Sequence, residues 1–139
     1  MKVGRTAVQC EIFVDGANVL PEGILSIGKS SFYKTKSLKN IVFPTSLVSI
    51  NDYAFYQSSL ISLEFKSDLR EIGDSAFYHN EKLELIVFAN GVERIGDYAF
   101  GKSSVLRSVV LPESLQNLGD YAFYNSPDLK SVDLGNGLK

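Results

Sequence analysis

From Ile27 onward, apolar residues return to the same six places at intervals of 23, 22, 23 and 23 residues. The aligned segments are IGKSSFYKTKSLKNIVFPTSLVS, INDYAFYQSSLISLEFKSDLRE, IGDSAFYHNEKLELIVFANGVER, IGDYAFGKSSVLRSVVLPESLQN and LGDYAFYNSPDLKSVDLGNGLK. Ile27, Ile50, Ile72, Ile95 and Leu118 form the first column, and Phe32, Phe55, Phe77, Phe100 and Phe123 the second. Leu38, Leu60, Leu83, Leu106 and Leu129 come next, followed by Ile41, Leu63, Ile86, Val109 and Val132. Phe43, Phe65, Phe88, Leu111 and Leu134 make the fifth column, and Leu47, Leu69, Val92, Leu115 and Leu138 the sixth. The second segment is one residue short, between Phe55 and Leu60. Upstream, VLPEGILSIG at 19–28 matches IVFPTSLVSI at 41–50 and reads as the tail of a sixth copy.

One such segment cannot bury its apolar side, whereas stacked copies bury all of them together. The pattern therefore predicts a repeat solenoid of five to six coils over residues 19–139, with residues 1–18 as an N-terminal cap or flanking segment. Leu-x-x-Ile-x-Phe/Leu alternates as a short strand does, and Pro44, Pro112 or Gly135 follows to end it. Parallel strands about 4.8 Å apart would line up identical residues in ladders. Gly-Asp-x-Ala-Phe predicts a short helical or 3-10 corner, in which Gly permits an unusual turn and Asp52, Asp74, Asp97 and Asp120 act as caps. Thr35, Ser58, Asn80, Ser103 and Ser126, each three positions after the Phe, are expected to satisfy backbone groups at that corner.

The pattern Leu-x-x-Ile-x-Leu-Pro-x-x-Leu-x-x-Ile-Gly-x-x-Ala-Phe, clearest in RSVVLPESLQNLGDYAFYNSPDL at 107–129, resembles the BspA-type leucine-rich repeat, also called the Treponema pallidum type. Family repeats often place Cys at the corner where Thr, Ser or Asn stands here. The resemblance implies a right-handed leucine-rich-repeat superhelix with a parallel β-sheet. It also implies a cell-surface or secreted parent protein acting in adhesion, aggregation and binding of host matrix or plasma proteins. It brings no catalytic residues with it.

Composition narrows the alternatives. With 45% hydrophobic and 22% charged residues and a net charge of −2, the chain is ordinary for a soluble protein. Its Lys and Arg are scattered, so no nucleic-acid partner is expected. No apolar run approaches the roughly 18 residues of a membrane span, so no insertion is expected. MKVGRTAVQC lacks the apolar core of a secretory signal, which leaves an intracellular chain or a mature or trimmed segment of a longer one. Cys10, the only cysteine, can form neither an internal disulfide nor a thiolate metal site and reads as a buried thiol. A catalytic triad would have to run through His79, the only histidine. The aspartate column offers one carboxylate per coil, whereas calcium takes roughly six to eight oxygens. GILSIGKS at 23–30 has the GxxxxGKS spacing of a phosphate loop, but Ile27 and Gly28 belong to the repeat columns. No enzyme activity, metal or cofactor is expected.

In a repeat protein, a site is sought where residues vary against the constant frame. The outward positions of the Leu-x-x-Ile-x-Phe strand form three columns: Lys39, Ile61, Glu84, Arg107, Lys130; Asn40, Ser62, Leu85, Ser108, Ser131; and Val42, Glu64, Val87, Val110, Asp133. Ile61, Leu85, Val87 and Val110 are expected to make an apolar patch rimmed by Lys39, Glu64, Glu84, Arg107 and Lys130, the make-up of a protein-binding surface. Outward β-branched residues such as Val42 also suit a strand for its own sake. Tyr53, Tyr98 and Tyr121, with Tyr33, Tyr56, Tyr78 and Tyr124 beside the Phe column, are a second candidate, unless they only cover the corner. The last segment stops in mid-coil at LGNGLK, so end-to-end self-assembly through Val132, Leu134 and Leu138 is the alternative to a protein partner.

Overall fold

The computed structural model describes residues 18–133 together with the strand Thr6–Ala7. Most of the expected N-terminal cap or flanking segment, including Cys10, and Leu134, Gly135 and Leu138 lie outside the described residues. Twelve short strands occur among the described residues, and they stack in two sets. The first set is β1 (Thr6–Ala7), β3 (Ser26–Ile27), β5 (Ser49–Ile50), β7 (Glu71–Ile72), β9 (Arg94–Ile95) and β11 (Asn117–Leu118). These join in that order into one unbroken parallel sheet. Its register places Ile27 on Ile50, Ile50 on Ile72, Ile72 on Ile95 and Ile95 on Leu118, which is the first apolar column. The second set is β2 (Asn18–Val19), β4 (Ile41–Val42), β6 (Ser62–Glu64), β8 (Leu85–Val87), β10 (Ser108–Val110) and β12 (Ser131–Asp133). These are the expected Leu-x-x-Ile-x-Phe strands, but they pair two by two: β2 with β4, β6 with β8, β10 with β12. The continuous sheet lies instead on the residues just before each Gly-Asp corner.

Between the two sets lies the core. Phe32, Phe55, Phe77, Phe100 and Phe123 stack face to face, with ring centroids 5.0, 5.0, 5.3 and 5.7 Å apart. Phe43 stacks on Phe65, and Phe65 on Phe88 at a tilt, in a second column set edge-on to the first. Ile27, Leu38, Leu47 and their counterparts fill the rest, all buried through the fourth full coil. Each buried side chain of this size adds about 1.5–3 kcal/mol relative to exposure, so the ladders hold the coils together.

The corners are turns rather than the expected short helices, and the backbone gives the reason. In each coil two residues sit at left-handed φ: Ser30, Tyr53, Ser75, Tyr98 and Tyr121 in one column, and Lys34, Gln57, His79, Lys102 and Asn125 in the other. Each closes a turn, as where Ser31 N–H donates to the Gly28 carbonyl and Thr35 N–H to that of Phe32. A helix cannot run through such positions. The N–H groups at Ser30, Phe32 and Lys34 instead donate to the carbonyls of Asp52, Ala54 and Tyr56 in the next coil, and the pattern repeats upward. The aspartates likewise cap no helix. Asp52, Asp74 and Asp97 each accept, through Oδ1, the backbone N–H of the next aspartate up the stack, at 2.8, 2.9 and 2.8 Å. Glycine precedes Asp74, Asp97 and Asp120, each standing over an aspartate of the coil below: a Cβ on Gly96 would stand 2.3 Å from the Asp74 carboxylate and 2.6 Å from its nitrogen. Asn51 takes the glycine place before Asp52, where the coil below carries Lys29 instead of an aspartate, and its Nδ2 donates to the Ile27 carbonyl.

The small polar ladder does serve the corner. The Ser58 hydroxyl donates to the Phe32 carbonyl and that of Ser103 to Phe100. Asn80 does more. In full-length coils the Leu N–H is taken by the corner carbonyl, as from Leu38 to Thr35 and from Leu106 to Ser103. The short coil lacks that bond, and Asn80 Oδ1 from the coil above accepts the Leu60 N–H, while Nδ2 donates to the Phe55 and Phe77 carbonyls. The hydroxyls of Thr35 and Ser126 are buried without a partner among the described residues.

Candidate functional site

The outward columns read from the sequence stand in register where the second strand set pairs. Val19 neighbours Val42, Glu64 neighbours Val87, and Val110 neighbours Asp133. Backbone bonds link Ile61 to Lys39, Glu84 to Ile61, and Lys130 to Arg107. Val42, Leu85, Val87 and Val110 are exposed, Val110 most of all at 64%. Ile61 is half-buried and contributes less than expected.

Between β8 and β10 no backbone hydrogen bond forms among the described residues, and the two strands flank an open groove of about 480 Å³. Leu85, Val87 and Val110 line it with Phe88, Leu111 and Pro112, while Asn90 and Glu113 close its polar end. Beside it, Glu84, Arg107, Val105 and Asp128 line a second hollow, and Arg107 and Asp128 share a third with Lys130. The structure thus gathers Glu84, Leu85, Val87, Arg107, Val110 and Lys130 on adjoining hollows. Lys39, Val42, Ile61 and Glu64 belong to lower coils outside these hollows, and Glu64 lies 3.7 Å from the Lys66 ammonium. Of the proposed assembly residues, Val132 is half-buried against the core and Leu134 and Leu138 lie outside the described residues.

Sequence reasoning missed Val19, Val105, Asp128 and the groove walls. Val19 could have been found, because it occupies the Val42 column one interval earlier. The groove could not, because β8 and β10 carry the same alternation as the strands that pair.

Of Gly23–Ser30, Ser26–Ile27 form strand β3 of the continuous sheet, with turns before and after it and no helix following. His79 Nε2 stands 2.5 Å from Glu81 Oε1, and that bond, then the histidine's charge, hold the Glu81 carboxyl below its ordinary range. Among the described residues no group of three or more His, Cys, Asp or Glu converges as a metal site would require, and no helix is long and apolar enough to cross a membrane.

The profile of the BspA type leucine rich repeat region matches residues 17–130 in six copies. No curated protein matches the sequence significantly. Among solved structures, the pneumococcal vaccine antigen PcpA is similar at 31% identity and a TM-score of 0.80, over 95% of this chain and 35% of PcpA. The leucine-rich-repeat protein of T. pallidum is similar at 32% identity and a TM-score of 0.78, over 84% of this chain and 57% of that one. A leucine-rich cell surface protein of Faecalibacterium prausnitzii shares the fold at 24% identity and a TM-score of 0.57, over 86% of this chain and 41% of its own. The chain thus spans about a third to somewhat over half of these relatives.

Proposed function

This chain belongs to the BspA-type leucine-rich-repeat family, and we propose that it is a non-enzymatic protein-binding module of a cell-surface or secreted, adhesin-like protein. Its partner is a host matrix or plasma protein, held on the outward face of β8 and β10. One observation carries the reading: Leu85, Val87 and Val110 are exposed and adjacent, lining a groove where two strands lie side by side without bonding to each other. An apolar centre with Glu84, Arg107 and Lys130 close by has the make-up of a recognition surface, in which burial supplies affinity and the charged rim supplies orientation. The likeness to a cell surface protein and to a vaccine antigen supports the placement of the parent protein outside the cell.

The test is binding of the chain to an immobilised panel of collagen, laminin, fibronectin and fibrinogen. Burying one Leu or Val side chain contributes about 1.5–3 kcal/mol, so Leu85→Asp or Val87→Asp should weaken binding by roughly tenfold or more. A panel that captures both variants as well as the wild type would refute this face. Light scattering across a wide concentration range separates this reading from self-assembly: a constant monomer mass is expected. Growth that Val132→Asp abolishes would favour assembly instead.

A further inference from the structure

All seven tyrosines of the chain stand on the corners, and ring contacts join them into one strip up the stack. Tyr33, Tyr56 and Tyr78 stack at 5.0 and 5.4 Å. In the fourth coil Gly101 replaces the next ring, and a Cβ there would come within 2.8 Å of Tyr78. The strip then shifts column. Tyr98 meets Tyr78 edge-on at 6.1 Å and stacks on Tyr121 at 5.2 Å, while Tyr124 stands at 70° to Tyr98 and 88° to Tyr121. These last three rings form an open aromatic corner, with Tyr121 exposed at 64% and Tyr124 at 44%.

Packing does not account for the tyrosines at this corner. Tyr98 and Tyr121 sit at φ 58 and 57, the third position of a turn that glycine or asparagine suits better. In the same column Tyr53 also carries a ring, whereas Ser30 and Ser75 make the same turn without one. Tyr121, an aromatic residue that strains the backbone and leaves most of its surface in water, points to a use outside the fold.

The charges around the strip differ between its two ends. At the bottom, the chain supplies its own cation: Lys34 Nζ lies over the Tyr33 ring at 5.4 Å, and Lys29 takes the place of aspartate in its column. At the top, Asp97 and Asp120 are exposed, and neither forms an ion pair among the described residues, because the nearby Arg94 turns to Asp74 at 3.6 Å. Burial, and after it Tyr121, Tyr124, Tyr78 and Asp97, push the Tyr98 phenol above its ordinary range. Aromatic faces beside carboxylates that form no ion pair attract a guanidinium, which stacks on the ring and bonds the carboxylate in one pose.

We propose that Tyr98, Tyr121 and Tyr124, with Asp97 and Asp120, dock an arginine side chain borne by an extended segment of a partner protein. The site is separate from the groove between β8 and β10 and uses none of its residues. Recognition there adds charge selectivity to the apolar contact of the other face.

The probe is a short peptide of alternating Ser and Arg, titrated against the chain by calorimetry beside the same peptide with citrulline at every Arg. The wild type should bind the arginine peptide, and the citrulline peptide at least tenfold more weakly. Asp97→Asn with Asp120→Asn keeps an oxygen for the backbone bond while removing charge, and should weaken binding at least tenfold. Tyr121→Gly should weaken binding at least fivefold without lowering the melting temperature, since glycine suits that turn. Glu113→Gln and Leu85→Asp, on the other surface, should leave the arginine peptide bound as before. The proposal is overturned if the wild type fails to bind the arginine peptide, or if both peptides bind alike. It is equally overturned if the aspartate pair and Tyr121 variants bind as the wild type does. Loss of melting temperature in Tyr121→Gly, matched by Tyr121→Asn, would make the ring a structural cover instead.

Discussion

On one side of the coil the backbone ladder runs unbroken through β1, β3, β5, β7, β9 and β11, and on the other it runs only in pairs. The strands of the unbroken side present Ser26, Ser49, Glu71, Arg94 and Asn117 outward, with Leu25 and Val48 the exposed apolar residues beside them in the lower coils. The broken side presents Val19, Val42, Leu85, Val87 and Val110, all exposed. A continuous sheet satisfies its backbone within the fold, and polar outward residues keep that surface in water. Where pairing lapses between β8 and β10, apolar side chains that the fold itself does not bury line the groove. The difference teaches that one side of this solenoid secures the stack while the other is left open for contact.

The largest effect should come from the core shared by both sides. Phe77 stacks between Phe55 and Phe100 and is fully buried, so Phe77→Ala should destabilise by about 3–5 kcal/mol in chemical denaturation. Next come the devices that keep the coils in register. Asn80 is fully buried and makes three hydrogen bonds, one of them replacing the bond lost by the short coil, so Asn80→Ala should cost about 1–3 kcal/mol or more. Gly96→Ala forces a methyl against Asp74 on the unbroken side and should cost about 1–3 kcal/mol, read as a lower urea midpoint. Outward changes on either side, such as Val110→Asp or Arg94→Ala, should stay within about 0.5 kcal/mol.

The smallest effect is the pH dependence. The Thr45 amide and then its hydroxyl hold the Glu22 carboxyl below its ordinary range, as His79 does for Glu81. Both folded values are depressed, so the stability they add is complete above the unfolded carboxylate value and lost as pH falls through the folded ones. Urea midpoints measured from about pH 6 down to pH 3 should therefore fall, and Glu22→Gln should flatten part of that slope.

Much of this was legible in the sequence. The six columns give the coil length, the ladders and the register, because a ladder needs the same residue at the same place in every copy. The outward columns were legible for the same reason, and Leu85, Val87 and Val110 do meet on one surface. The continuous sheet was not, because strands as short as Ser49–Ile50 are too brief to show an alternation. The left-handed corners were hidden as well: Tyr53, Lys34 and His79 carry no glycine signal for a positive φ, so Gly-Asp read as a helix start. The missing residue of the second coil was plain to see. That Asn80 repairs it required seeing Leu60 N–H beside the amide oxygen. The lapse between β8 and β10 has no counterpart in the residue pattern.

The most direct test of the open-side account compares variants on the two sides against one immobilised panel of collagen, laminin, fibronectin and fibrinogen. Leu85→Asp and Val110→Asp would be measured beside Glu71→Ala and Arg94→Ala, all at unchanged melting temperature. Binding that falls roughly tenfold or more for the first pair and stays within about twofold for the second is the predicted result. Equal losses on both sides, or a loss confined to Glu71 and Arg94, would contradict it.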